Sequence, residues 1–206
     1  MLTLTNESEV KPMSEALDVV LRQPNDEDAL AISKLFVDRY NDIVPGFQSW
    51  KAKRIRYLQT HGEGYFLNKI HDATHRETGY FACIATVEGE LAGFAYAEAD
   101  KGNNQFARLV GLVVDRAYEH KGIGSQLEKK RQEWALAQRR ILYGKLVYEG
   151  EGAWDFYRKN GYREIDTWGE DQTTFRLIAH PLPDTPLVTT SIHWQVPRGD
   201  QEPLVY

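Results

Sequence analysis

The sequence predicts a mixed α/β domain: a mostly antiparallel central sheet of about seven strands flanked by about four helices. Two observations predict it. Residues 80–114 hold three strand-like runs separated by short polar turns, so three consecutive strands pair antiparallel. A helix-compatible segment, 123–138, then precedes another apolar strand, 141–148. A strand–helix–strand connection of this kind crosses over right-handed and leaves its two strands parallel.

The elements follow in order. Residues 1–17 are polar and aperiodic and read as a leader. Residues 18–23 contain Val19, Val20 and Leu21 and read as the first strand. A helix follows, with Asn25 as a cap and acidic residues in its first turn. Ala29, Ile32, Leu35, Phe36 and Tyr40 recur at helical spacing, and Pro45-Gly46 ends the element. A second helix over 49–59 carries Lys51, Lys53, Arg54 and Arg56. In 61–79, Gly62-Glu63-Gly64 suggests a loop, and Tyr65, Phe66, Leu67 and Ile70 suit a short helix. His71 and His75 stand at i and i+4, a metal-compatible spacing on a helix. The metalloprotease pattern wants Glu after the first histidine, where this chain has Asp72, so solvated loop histidines are the expectation and no metal is expected.

Strands are expected over 80–88 and 91–99, joined at Glu88-Gly89-Glu90, and over 106–114. Gly111 inside the third marks a bulge. Two glycines, Gly122 and Gly124, then open the helix that carries Ile123, Leu127 and Trp134 on one side. Lys129, Lys130, Arg131 and Glu133 read as its solvated face. A short helix closed by Gly161 and strands over 163–167 and 173–179 complete the domain, 18–179. Residues 180–206 hold five of the eight prolines and read as an extension, in which 187–196 could add an edge strand.

Composition excludes some functions. The net charge is −5, against general affinity for nucleic acid, and no apolar run approaches a membrane span. Cys83 is the only cysteine, so no internal disulfide forms. A cytoplasmic protein, monomeric or homodimeric, is the default expectation.

The stretch from Leu112 to Leu127 carries the chemistry. A strand ends at Val114, a polar turn follows, and Gly122-Ile123-Gly124 starts a helix. A helix N-terminus offers unpaired N–H groups and partial positive charge, and glycines let a phosphate approach the backbone. Taken alone, Gly-x-Gly reads better as an ordinary strand-to-helix turn.

Val114-Asp115-Arg116-Ala117-Tyr118 and Lys121-Gly122-Ile123-Gly124-Ser125 resemble the acetyl-CoA signature of the GNAT N-acetyltransferases. Two departures are Glu119, where that family usually has Arg or Gln, and His120, where glycine is frequent. Ala153, Phe156, Tyr157, Lys159, Gly161 and Tyr162 are similar to the family's second motif, in register, with Gly150 where asparagine is usual. Two motifs in the right order, about thirty residues apart, are hard to obtain by chance.

The resemblance implies an acetyl-CoA-dependent transferase acting on an amine of a small molecule or peptide. It implies a splayed parallel strand pair that holds the cofactor. Leu112, Val113 and Val114 would pair with its pantetheine arm, and a strand N–H there would polarise the carbonyl. Glu119, His120, Lys121, Gly122, Ile123, Gly124 and Ser125 would surround the diphosphate, with Gly150, Ala153 and Phe156 beside the arm. Tyr157 would protonate the leaving thiolate. The base is not visible: Glu98, Asp100, Glu149 or a water chain could serve. A non-catalytic acyl-CoA-binding or regulatory protein on the same fold is the alternative, and the acceptor is left open.

Overall fold

A computed structural model describes residues 17–42, 48–76, 78–147, 151–170 and 173–183. Among them are seven strands and four α-helices: β1 (Val19–Arg22), α1 (Asp28–Asp42), α2 (Gln48–His75), β2 (Tyr80–Val87), β3 (Glu90–Ala99), β4 (Phe106–Val114), α3 (Ile123–Ala137), β5 (Ile141–Val147), α4 (Glu151–Lys159), β6 (Arg163–Glu170) and β7 (Thr173–His180). The strands form one sheet in the order β1-β2-β3-β4-β5-β7-β6. Every neighbouring pair is antiparallel except β4 with β5. The leader, the edge strand considered at 187–196 and most of the extension lie outside the described residues.

Strand alternation sends side chains to two faces. On one, Ile84, Phe94, Tyr96 and Val113 pack against Ile32, Phe36, Phe66 and Ile70 of α1 and α2. On the other, Leu112 meets Ile123 and Leu127 of α3, and Leu142 and Leu146 meet Tyr157 of α4. The β2–β3 turn is two residues, Glu88 and Gly89, with φ of 52° and 85°. That twist suits a tight hairpin.

Three local features shape the functional region. First, β3 and β4 slip register, so that Tyr96 faces Gly111 and Ala97 faces Leu109. Val110 is the extra residue, beside the glycine expected to mark a bulge. Gly111 has no room for a side chain, because a Cβ there would lie 2.9 Å from Phe36 Cζ. Second, β4 and β5 pair only at Phe106–Ile141, Ala107–Leu142 and Arg108–Tyr143. Beyond those pairs the strands run on without ladder contact, the splay that the resemblance implied.

Third, α2 is one helix through 62–64, where the sequence suggested a loop. A Cβ on Gly62 would lie 1.9 Å from Ser33 Oγ, so that glycine serves the crossing with α1 rather than a chain break. His71 and His75 both lie on this helix. His71 Nε2 sits 2.9 Å from Asp26 Oδ1. Among the described residues no group of three or more His, Cys, Asp or Glu could hold a metal.

Candidate active site

The β4–α3 connection is built to leave a helix end open. Asp115 Oδ1 accepts from Ala117 N at 2.8 Å and closes a short 3₁₀ turn, Arg116–Tyr118. His120 and Gly122 then take positive φ, 58° and 82°, which turns the chain sharply into α3. Gly122 is the N-cap of α3, and no side chain caps the helix. The N–H groups of its first turn therefore point into open space with the positive end of the helix dipole.

That space is a cavity of about 370 Å³. Leu112 and Val114 of β4 line it on one side, and Gly152, Ala153 and Phe156 of α4 on another. Tyr118, Glu119, His120, Gly122, Gly124 and Ser125 of the connection and the start of α3 complete the lining. A Cβ on Gly124 would stand 3.3 Å from the Phe156 ring, and one on Gly122 would meet nothing within 4 Å. An apolar slot thus leads to an uncapped helix end, a shape that fits an apolar arm tipped with a diphosphate.

The residues expected around the cofactor divide. Leu112, Val114, Glu119, His120, Gly122, Gly124, Ser125, Ala153 and Phe156 line the cavity. Val113 points to the opposite face and is fully buried, so only its backbone is placed to pair with a ligand. Ile123 is buried in the core beneath α3. Lys121 is exposed, its Nζ 5.3 Å from the centre of the Tyr118 ring. Gly150 and Glu149 lie outside the described residues.

Arg39 of α1 was not foreseen. It lines the cavity and pairs with Glu119 at 2.6 Å. The Glu119 carboxylate, which would repel a diphosphate, is therefore neutralised from the facing helix. A signal was present: Arg39 follows Ile32, Leu35 and Phe36 on the apolar face of α1 at i+7, i+4 and i+3.

Tyr157 is fully buried beneath that lining. Its hydroxyl accepts from Arg131 Nη2 at 3.0 Å. Arg131 also pairs with Glu128, and Tyr162 donates to Glu128 Oε1 at 2.7 Å. Arg131 does not belong to the solvated face expected of the Lys129–Glu133 run: its side chain is 0% exposed. Burial opposes its charge, but the Glu128 carboxylate with the Tyr157 and Tyr162 hydroxyls outweighs burial, and the guanidinium pKa lies above its ordinary value. Lys129, Lys130 and Glu133 are exposed as expected.

Of the carboxylates considered as bases, Glu98 and Asp100 are engaged. Burial pushes the Glu98 carboxyl up, and the Lys69 and Arg108 cations outweigh it and hold the pKa below its ordinary value. Lys69 Nζ lies 3.0 Å from Glu98, and Arg108 pairs with its other oxygen. Asp100 takes the Tyr143 hydroxyl and two backbone N–H groups of its own turn.

A sequence model of the acetyltransferase (GNAT) family matches residues 41–162, more than half of the chain. The chain belongs to the GNAT acetyltransferase family. A relative from Lactobacillus delbrueckii subsp. lactis, an uncharacterised N-acetyltransferase in the pepI 3′ region, is 28% identical over 117 residues. That match covers 50% of this chain and 66% of the relative, so the chain spans just under two thirds of the relative's length. The fold is similar to that of the PaiA N-acetyltransferase of Thermoplasma acidophilum in complex with coenzyme A, with a TM-score of 0.65 at 17% identity, covering 80% of this chain and 99% of that one. It is also similar to yncA of Salmonella typhimurium with acetyl-CoA, with a TM-score of 0.59 at 11% identity, covering 82% and 96%. At these identities the GNAT neighbours show the fold, a seven-stranded mixed sheet with one parallel pair.

Proposed function

We propose that this GNAT protein transfers an acetyl group from acetyl-CoA to an amine of a small molecule or peptide. One observation carries the reading: an uncapped helix end opens into an apolar slot where two parallel strands part. When bound, acetyl-CoA supplies an activated acyl carbon and a thiol leaving group. The first-turn N–H groups of α3 at Gly122, Ile123, Gly124 and Ser125 hold its diphosphate. Leu112, Val114, Ala153 and Phe156 enclose its apolar arm. The β4 backbone near the bulge offers an N–H to the carbonyl oxygen as negative charge develops there. Tyr157, buried against the slot-lining Phe156, is assigned the proton for the departing sulfur.

An attacking amine must first lose its proton, because its pKa is near 10 in water. Glu98 is held by two cations and is a weak base, so the reading assigns deprotonation to solvent. The same engaged carboxylates support the alternative, an acyl-CoA-binding protein without turnover. Calorimetry with acetyl-CoA, followed by thiol release over an amine panel, separates the two. Binding with turnover is expected. Binding without turnover on any amine would put the non-catalytic reading in front. Gly124→Glu, which drives a carboxylate toward Phe156 and the helix end, should abolish binding with the far-UV circular dichroism unchanged. Binding retained within a few-fold would remove the diphosphate site from this loop.

A further inference from the structure

We propose that Arg131 is a positioning residue for acyl transfer, pinning the β4 bulge and the Tyr157 hydroxyl in one arrangement. The proposal rests on the acetyl-transfer reading above and adds to it. Arg131 lies at the centre of α3 and is wholly buried. Its Nη1 donates to the Gly111 carbonyl at 3.1 Å and to the Tyr96 carbonyl at 3.3 Å. Those two residues face each other where Val110 interrupts the ladder. Its Nη2 donates to Tyr157 Oη at 3.0 Å and pairs with Glu128. One rigid, planar group thus spans the bulge, where a strand N–H is to meet the thioester carbonyl, and the hydroxyl assigned to the sulfur.

Stability alone does not explain the pair. Ile123, Leu127 and Ala135 fill the same face of α3 with apolar side chains. A buried ion pair costs desolvation, and apolar replacement of such pairs is often neutral or stabilising. The charge acts where a proton moves. As the carbon–sulfur bond breaks, its electron pair goes to sulfur, the Tyr157 O–H bond breaks and an S–H bond forms. The phenolate left behind faces the Arg131 guanidinium, which stabilises it. It regains a proton from solvent, which has received the one lost by the amine nitrogen.

The test uses the full chain and four variants: Glu128→Gln/Arg131→Met, which removes both charges and keeps an acceptor for Tyr162; Tyr157→Phe; the two combined; and Arg131→Lys. Amide hydrogen exchange without ligand, acetyl-CoA binding by calorimetry, and kcat and KM are read for each. The double variant should exchange faster at residues 109–113, bind acetyl-CoA nearly unchanged and lose about 10²-fold in kcat. Adding Tyr157→Phe should cost little more, since both changes strike one proton transfer. Arg131→Lys keeps a charged donor and should recover part of kcat, and it stands in for the double variant if that variant melts. Wild-type exchange and kcat in these variants, or losses that multiply in the combined one, overturn the proposal. If the wild type binds acetyl-CoA and acetylates no amine, the transfer reading fails separately. Exchange at 109–113 then decides by itself whether Arg131 holds the bulge.

Discussion

Glu119 and Arg39 show how one side chain changes the meaning of another. Glu119 alone would place a negative charge where the family commonly has a cation, in the lining of a slot suited to a diphosphate. Arg39, 15% exposed, cancels it at 2.6 Å. Arg39→Ala should therefore weaken acetyl-CoA binding by about tenfold at low salt, the scale of a charge–charge term of about 1–2 kcal/mol. Glu119→Gln in the same chain should restore most of the loss, and both effects should shrink as salt screens them. Calorimetry at two ionic strengths checks this, and an Arg39→Ala affinity equal to wild type would mean that the pair has no influence on the cofactor. Glu119 was visible in the sequence as a departure, because motifs are local. Its partner lies 80 positions earlier, and only folding brings α1 to the loop. Arg131 was misread for another reason. The run Lys129-Lys130-Arg131 looks like wet surface when read by neighbours. Read at helical period, Ile123, Leu127, Arg131 and Ala135 form one i+4 series, apolar but for the arginine.

At the scale of elements, strands and turns were legible because their signals are short: alternating apolar residues, glycines at positive φ and a right-handed crossover. The course of α2 was not legible, because Gly62 and Gly64 read as breakers. The two glycines do different things. A Cβ on Gly62 would collide with Ser33, whose hydroxyl reaches the Leu58 carbonyl at 3.5 Å. A Cβ on Gly64 would meet nothing within 4 Å. Gly64→Ala should stabilise the protein by about 0.5–1 kcal/mol, the helix penalty of glycine. Gly62→Val should destabilise it by about 1–3 kcal/mol, because α1 and α2 must move apart. Thermal melts of the two variants should shift in opposite directions. A melting temperature for Gly62→Val at or above wild type would show that the helix crossing is not tight there.

Across the whole molecule, acid sensitivity and the seam of the sheet both follow from where charges and ladders lie. Glu98 joins β3 to Lys69 of α2 and Arg108 of β4. Its pKa is lower folded than unfolded. As pH falls, the unfolded chain takes up the proton first, so this stability is complete above about pH 4.3 and is lost as pH drops through the depressed value. Glu98→Gln should cost about 1–3 kcal/mol at pH 7, since two part-buried cations lose their partner. Its melting temperature should also fall less steeply than that of the wild type between about pH 5 and pH 2. Parallel acid slopes would exclude Glu98 as a source of acid lability. The short ladder between β4 and β5 has a different consequence. Three residue pairs join them, whereas β5 with β7 and β6 with β7 have six and seven. The sheet is two antiparallel leaves sharing a brief hinge, and much of what crosses it is side-chain contact: Arg131 with Tyr157, and Glu128 with Tyr162. A chain severed between α3 and β5 would leave each strand beside its antiparallel neighbours. Residues 1–138 and 139–206, produced together as separate polypeptides, should therefore find each other and purify as one complex, and Glu128→Ala in the first piece should break that reunion.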